Sequence, residues 1–193
     1  MKNINDYLLT TNVKVGDLRK WMKEKNDYSK NKIIDLIYHR FYNRYVKHLR
    51  TIDSGFLKMA VSCLMIETLE SFRQGKKDTK DRGAGLQMFK YFFETEQKLF
   101  PEFKDIYVDF YYNIRCGILH QAETTNAWRI LRRDVLIDKT NKTINSNKFV
   151  ASLEKSLDNY VEDLKSNDFK SQIWKNALLK LDDICENCKV SLK

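Results

Sequence analysis

Apolar residues recur at helical spacing over most of the chain. From Ile33 they fall at 33, 34, 37, 38, 41, 42, 45, 46 and 49, which predicts a helix with one broad buried face, opened by Ser29 or Asn31 as its cap. Ser54 caps the next segment, "GFLKMAVSCLMIETLESFRQG", which is apolar on nearly every side in its first half and stops at Gly75, the pattern of a central helix. "LQMFKYFFETEQKLF" predicts a third helix ending before Pro101. A fourth runs from Pro101, with Phe103, Ile106, Tyr107, Phe110, Tyr111 and Ile114 one turn apart. Two further stripes predict helices over about 147–165, through Phe149, Leu153 and Tyr160, and about 168–186, through Trp174, Leu178 and Leu181.

Between these stripes the period is lost. Residues 1–29 are polar and weakly patterned, with "VGDLRKWM" as a candidate short helix. "GKKDTKDRGAG" reads as a charged, glycine-bearing loop. After Ala122, β-branched residues gather in short runs around "DKTNKT" and predict a small hairpin. With one proline, six glycines and no internal repeat, the pattern defines an all-α chain. It predicts a bundle of about five to six helices with a β-hairpin insertion near residues 128–146. One domain over 1–193 is expected, its first 29 residues weakly structured.

Composition narrows the class further. Apolar residues at 42% and charged residues at 32% exclude a disordered chain and a membrane protein. The longest apolar stretch, "FLKMAVSCLMI", is interrupted by Lys58 and is too short to cross a bilayer. The first residues lack the basic region and apolar run of a signal peptide, so a cytoplasmic protein without a membrane partner is expected. Four cysteines in such a setting read as free thiols. The formal net charge of +9 favours an anionic partner, nucleic acid foremost.

Only three histidines are present, which limits any chemistry that needs imidazole. His39 and His48 lie on the first amphipathic helix amid aromatic residues and read as ordinary helix positions. His120 differs, because "YYNIRCGILHQAET" sets it five residues after Arg115 where an aromatic helix meets Gly117. With ten arginines in the chain that spacing alone decides little, and the setting carries the argument. On a straight helix a five-residue offset is roughly 140° around the axis. A bend at Gly117, or a second subunit packed about a twofold axis, is therefore expected to bring the two side chains together.

Such a pair suits RNA cleavage. Imidazole titrates near neutral pH and can take the proton of a ribose 2′-hydroxyl, while guanidinium is always charged and grips phosphate oxygens in a fork. The 2′-oxygen would attack the adjacent phosphorus, Arg115 would stabilise the charge on the phosphoryl oxygens, and imidazole could protonate the leaving 5′-oxygen. The expected products carry 2′,3′-cyclic phosphate and 5′-hydroxyl ends, and DNA should survive. No cofactor and no metal enters the scheme. No phosphate-cradling glycine loop, acidic metal cluster or serine-elbow motif is visible.

The string "FYYNIRCGILHQAET", with "IETLESFRQG" on the second helix, resembles the HEPN superfamily, and "RCGILH" is similar to its motif of arginine, four intervening residues and histidine. The resemblance implies a helical bundle over about residues 30–185 that forms a homodimer with a metal-independent ribonuclease site at the interface. It implies Arg115 and His120 as the catalytic pair. It further implies a role in toxin–antitoxin or anti-phage defence systems, with an antitoxin or a nucleotidyltransferase as partner. The superfamily often has Asn, Asp or His directly after the arginine, where this chain has Cys116, a weaker hydrogen-bonding group.

Neighbouring residues carry competing readings. Glu67 and Glu123 could orient the histidine or raise its pKa, or could simply be solvated or capping carboxylates. Tyr112 could stack on a base, whereas Tyr111 reads as packing. Gln121 could contact substrate. The loop 76–82 with Arg129, Arg132 and Arg133 could bind phosphates or form a solvated charged face. "CENC" at 185–188 has the spacing of half a zinc site but lacks a second pair. Two other function classes stay open: a related domain that binds RNA, nucleotide or a protein partner without cleaving, and a plain helical adaptor.

Overall fold

The structure, a computed structural model, describes residues 3–79, 81 and 83–188. A single 3-10 turn (Ile4–Asp6) precedes a short antiparallel hairpin of β1 (Leu8–Thr10) and β2 (Val13–Lys14), which leads straight into α1 (Val15–Glu24). The weak structure expected for residues 1–29 is thus corrected for the described part of that segment. Val15 and Leu18 of α1 are fully buried, and two strands of three and two residues are too short to register as a period in the sequence.

The first predicted helix is present but opens earlier. Asn26 caps it, its side chain accepting a hydrogen bond from the Ser29 backbone N–H at 2.8 Å. The rod comprises α2 (Asp27–Phe41), a π-helical segment (Tyr42–Val46) and α3 (Lys47–Thr51). Next comes α4 (Gly55–Gln74), capped by Ser54 and closed by Gly75 at a φ of 64°, as its sequence predicts. It is central: α4 packs on α5 (Ala84–Thr95), on α8 (Ser146–Ser166) and on α9 (Gln172–Glu186), and Cys63, Met65, Ile66, Leu69 and Phe72 along it are fully buried.

The third helix ends at Thr95, well short of Pro101. The reason lies at Glu96. Its carboxylate turns inward to accept a 2.5 Å hydrogen bond from Arg73 Nη2 and a 2.7 Å bond from Ser156 Oγ. The chain then turns through Glu102, which has a φ of 71°, into α6 (Phe103–Phe110). That helix passes through a second π-helical segment (Tyr111–Cys116) into α7 (Gly117–Gln121). Counting each π segment with the helices it joins, the described residues form seven helices, the six long stripes and α1, which covers the short helix offered by "VGDLRKWM".

The hairpin around "DKTNKT" is present as β4 (Ile137–Asp138) and β5 (Thr143–Asn145), paired antiparallel with Asp138 opposite Thr143. A third strand, β3 (Arg129–Leu131), joins β5 in parallel, giving the order β3-β5-β4. Asn145 ends the sheet and caps α8, its side chain accepting hydrogen bonds from the Asn147 and Lys148 N–H groups. The insertion is thereby tied to the bundle.

Under α6 lies an aromatic core. Phe89, Phe92, Phe93, Phe100, Phe103, Phe110 and Phe149 are all fully buried, with ring centroids 4.9 to 6.2 Å apart in mostly edge-to-face pairs. Such geometry adds to burial through the ring quadrupoles. A buried polar cluster sits beside it, in which Arg73 bridges Glu70 and Glu96. No helix among the described residues is long and apolar enough to cross a membrane.

Candidate active site at Arg115 and His120

Arg115 and His120 lie together within one chain. Nη1 of Arg115 is 3.5 Å from Nε2 of His120. The route differs from the one the sequence predicts. Gly117 is no bend, since its φ of −56° and ψ of −55° are ordinary α-helix, and the helix ends only at Ala122, with a φ of 54°. Instead Arg115 springs from the π turn, whose i→i+5 bonding makes it wider than an α turn, and its long side chain reaches across to the imidazole.

Three contacts hold that reach. Nε of Arg115 donates to Glu67 Oε1 at 2.8 Å, with both side chains mostly covered, at 18% and 13% exposure. The guanidinium lies over the Tyr111 ring, 5.3 Å from its centroid. Nη1 is also 3.9 Å from Cys116 Sγ. Burial opposes the guanidinium charge, but the hydrogen bond and charge of Glu67 outweigh it and hold the Arg115 pKa above its ordinary value. Tyr111 is fixed in turn by an edge-to-face contact with Phe89, at 5.4 Å. Gly85 makes room for its hydroxyl, which would lie 2.7 Å from a Cβ placed there. Burial raises the Tyr111 hydroxyl above its usual pKa, so it stays neutral beneath the cation.

The return segment after α7 braces the π turn from the other side. Thr125 N–H donates to the Asn113 carbonyl at 3.0 Å and its hydroxyl donates to Asn113 Oδ1 at 2.7 Å. Asp109 accepts from Asn113 Nδ2 and from Trp128 Nε1. Gly117 permits this close approach, because a Cβ there would lie 2.5 Å from the Glu123 carbonyl oxygen. Asp109, Asn113 and Thr125 were not candidates from the sequence. Their one visible signal is the polar pair 109 and 113, one turn apart in an otherwise aromatic helix.

The remaining candidates separate. Glu67 and Cys116 border the pair. Tyr112 is 55% exposed and meets only the edge of Tyr111 among the ring contacts of the described residues, while Gln121 is exposed at the helix end. Glu123 turns away to accept from the Thr124 N–H at 2.9 Å, a local capping contact. Arg132 pairs with Asp53 and Arg129 donates to the Asn141 carbonyl. Lys80 and Arg82 of the charged loop lie outside the described residues. Cys185 and Cys188 are free thiols at the end of α9, and no three His, Cys, Asp or Glu side chains cluster as a metal site among the described residues.

Chemically, the arrangement offers a charge-paired guanidinium beside an exposed imidazole, on an aromatic base. Comparison with protein-family models, with curated proteins and with solved structures returns no match for this chain.

Proposed function

We propose that this protein is a HEPN-like, metal-independent endoribonuclease. The observation that carries the reading is the 3.5 Å approach of Arg115 Nη1 to His120 Nε2 at an open surface, with Arg115 oriented by Glu67. In the reaction the ribose 2′-oxygen forms a bond to the adjacent phosphorus as the bond from phosphorus to the 5′-oxygen breaks. Imidazole takes the 2′-proton, or gives one to the leaving oxygen, and the guanidinium stabilises the charge on the phosphoryl oxygens. One imidazole cannot do both at once, so a second copy of the chain supplies the other. Val108, Tyr112 and Leu119 are exposed along the helix that carries the pair and suit packing against that copy. RNA is the substrate, and a toxin or anti-phage effector, restrained by an antitoxin or a nucleotidyltransferase partner, is the biological role.

A second reading is a related domain that binds RNA, nucleotide or a protein partner without cleaving. Cys116 favours it, since a thiol 3.9 Å from the guanidinium is a weak partner for either catalytic group. One assay separates the two: end-labelled single-stranded RNA and matched DNA in EDTA, with Arg115→Ala and His120→Ala alongside and fragment ends mapped. Cleavage of RNA alone, to cyclic-phosphate ends and lost in both variants, supports the nuclease. Intact RNA with a folded dimer supports the binding domain.

A further inference from the structure

Away from the Arg115 site, α2 and the π turn after it carry Arg40 and Arg44, one turn apart. Among the described residues neither makes an ion pair. Arg40 is half-buried, and Arg44 reaches only the Leu9 carbonyl, at 3.4 Å from Nη2. Two cavities, of about 200 and 280 Å³, share Arg40, Arg44 and Ile184 in their walls. The smaller also has Tyr45, Thr68 and Lys180, backed by Phe41 and Phe72. Lys180 is not a free charge, since its ammonium lies 3.7 Å from Asp183 and donates to the Lys77 carbonyl. Two guanidinium groups without an ion-pair partner, Arg40 half-buried and Arg44 exposed, therefore line these two partly open, adjoining clefts.

That arrangement is costly as it stands. A cation removed from water needs a partner, and the groups acting most strongly on Arg40 are a second cation, a tyrosine and two thiols. Burial and then Arg44 pull the Arg40 pKa down to about 10. The hydroxyls complete a donor set. Thr68 Oγ1 donates to the Leu64 carbonyl at 2.9 Å, so in the 3.3 Å contact between Tyr45 and Thr68 the tyrosine is the donor, through a long bond that a better acceptor would take over.

We infer that the cavity between Arg40 and Arg44 is a phosphate site, filled by inorganic phosphate or by the phosphoryl group of a small phosphate ester. Forked guanidinium groups match phosphate oxygens in pairs, and the Tyr45 hydroxyl supplies a further donor. The site is separate from the Arg115 pair and does not rest on the nuclease reading.

The test is thermal denaturation of the intact chain in chloride, in inorganic phosphate and in a nucleoside 5′-monophosphate at matched ionic strength, for the wild type, Arg40→Met and Arg44→Gln. Phosphate stabilises proteins generally by exclusion from their surface, so the readout is the difference between wild type and variants. The expected result is a phosphate-dependent rise of several degrees in the wild type, with apparent affinity at least about tenfold weaker in each variant. Arg40→Met in chloride should match or exceed the wild type, because it removes a half-buried cation without a counter-ion. A tighter response to the monophosphate identifies an ester as the ligand, and a tighter response to phosphate identifies the free ion. Equal stabilisation of all three proteins, or an Arg40→Met that is less stable in chloride and responds to phosphate like the wild type, overturns the site.

Discussion

Arg115 and Glu67, 48 positions apart in sequence, meet in a 2.8 Å hydrogen bond from Nε to Oε1. The bond uses Nε and leaves Nη1 3.5 Å from Nε2 of His120. Glu67 is therefore a positioning residue. Glu67→Gln keeps an acceptor but loses the charge and should slow RNA cleavage by about tenfold. Glu67→Ala frees the guanidinium and should cost about a hundredfold, close to the loss expected of an oxyanion-stabilising donor. Rates on labelled RNA check this, with KM expected to change less than kcat. Equal losses in both variants would make Glu67 merely structural.

Glu70 predicts a pH effect. Burial, the largest influence on it, raises its pKa although Arg73 and Gln74 act the other way, so the folded chain holds that proton to higher pH than the unfolded chain does. The stability this contributes is complete below the ordinary carboxylate pKa and is lost as pH rises through the raised value. Glu70→Gln cannot lose a proton. Urea denaturation should find the variant gaining stability relative to the wild type as the pH rises from 4 to 8.

Gly117→Ala should destabilise the fold by about 1–3 kcal/mol, the usual cost of forcing an atom into a packed contact. Here the contact is backbone, the Glu123 carbonyl, which has no rotamer to yield. Chemical denaturation measures the loss.

Ala122→Gly should act in the opposite direction. Ala122 closes α7 in the left-handed region, with a φ of 54°, and glycine occupies that conformation at no steric cost. A gain of up to about 1 kcal/mol in denaturant unfolding is expected.

Sequence periodicity revealed the long helices because each buries one stripe, and α4 stood out because it is surrounded. It could not reveal either π turn. One extra residue in a turn leaves the apolar positions near enough to the i+3 and i+4 rhythm, as at 41, 42, 45 and 46, for the stripe to read as unbroken. The early end of α5 was hidden for another reason, since Glu96 leaves the helix for partners on α4 and α8 that lie 23 and 60 positions away. At the site, Arg115, His120, Cys116 and Glu67 were legible as residue types in an aromatic setting. Glu123 looked equally apt, and only the turn after Ala122 separates it from the pair. Tyr111 was legible as packing and proves to be packing that also carries the guanidinium.

The π turn at Tyr111–Cys116 makes chain length a determinant of the site. A turn of this kind holds one residue more than the α-helix it interrupts. Deleting one residue between Tyr111 and Arg115 would let the helix close into a regular α turn, on which side chains five residues apart stand about 140° apart around the axis. Arg115 would then lose the reach to His120 that the wide turn provides, and the brace from Asn113 to Thr125 would lose its register. The pair could thus be dismantled with Arg115, His120 and Glu67 all retained, so an intact motif in a shortened chain would not mean an intact site.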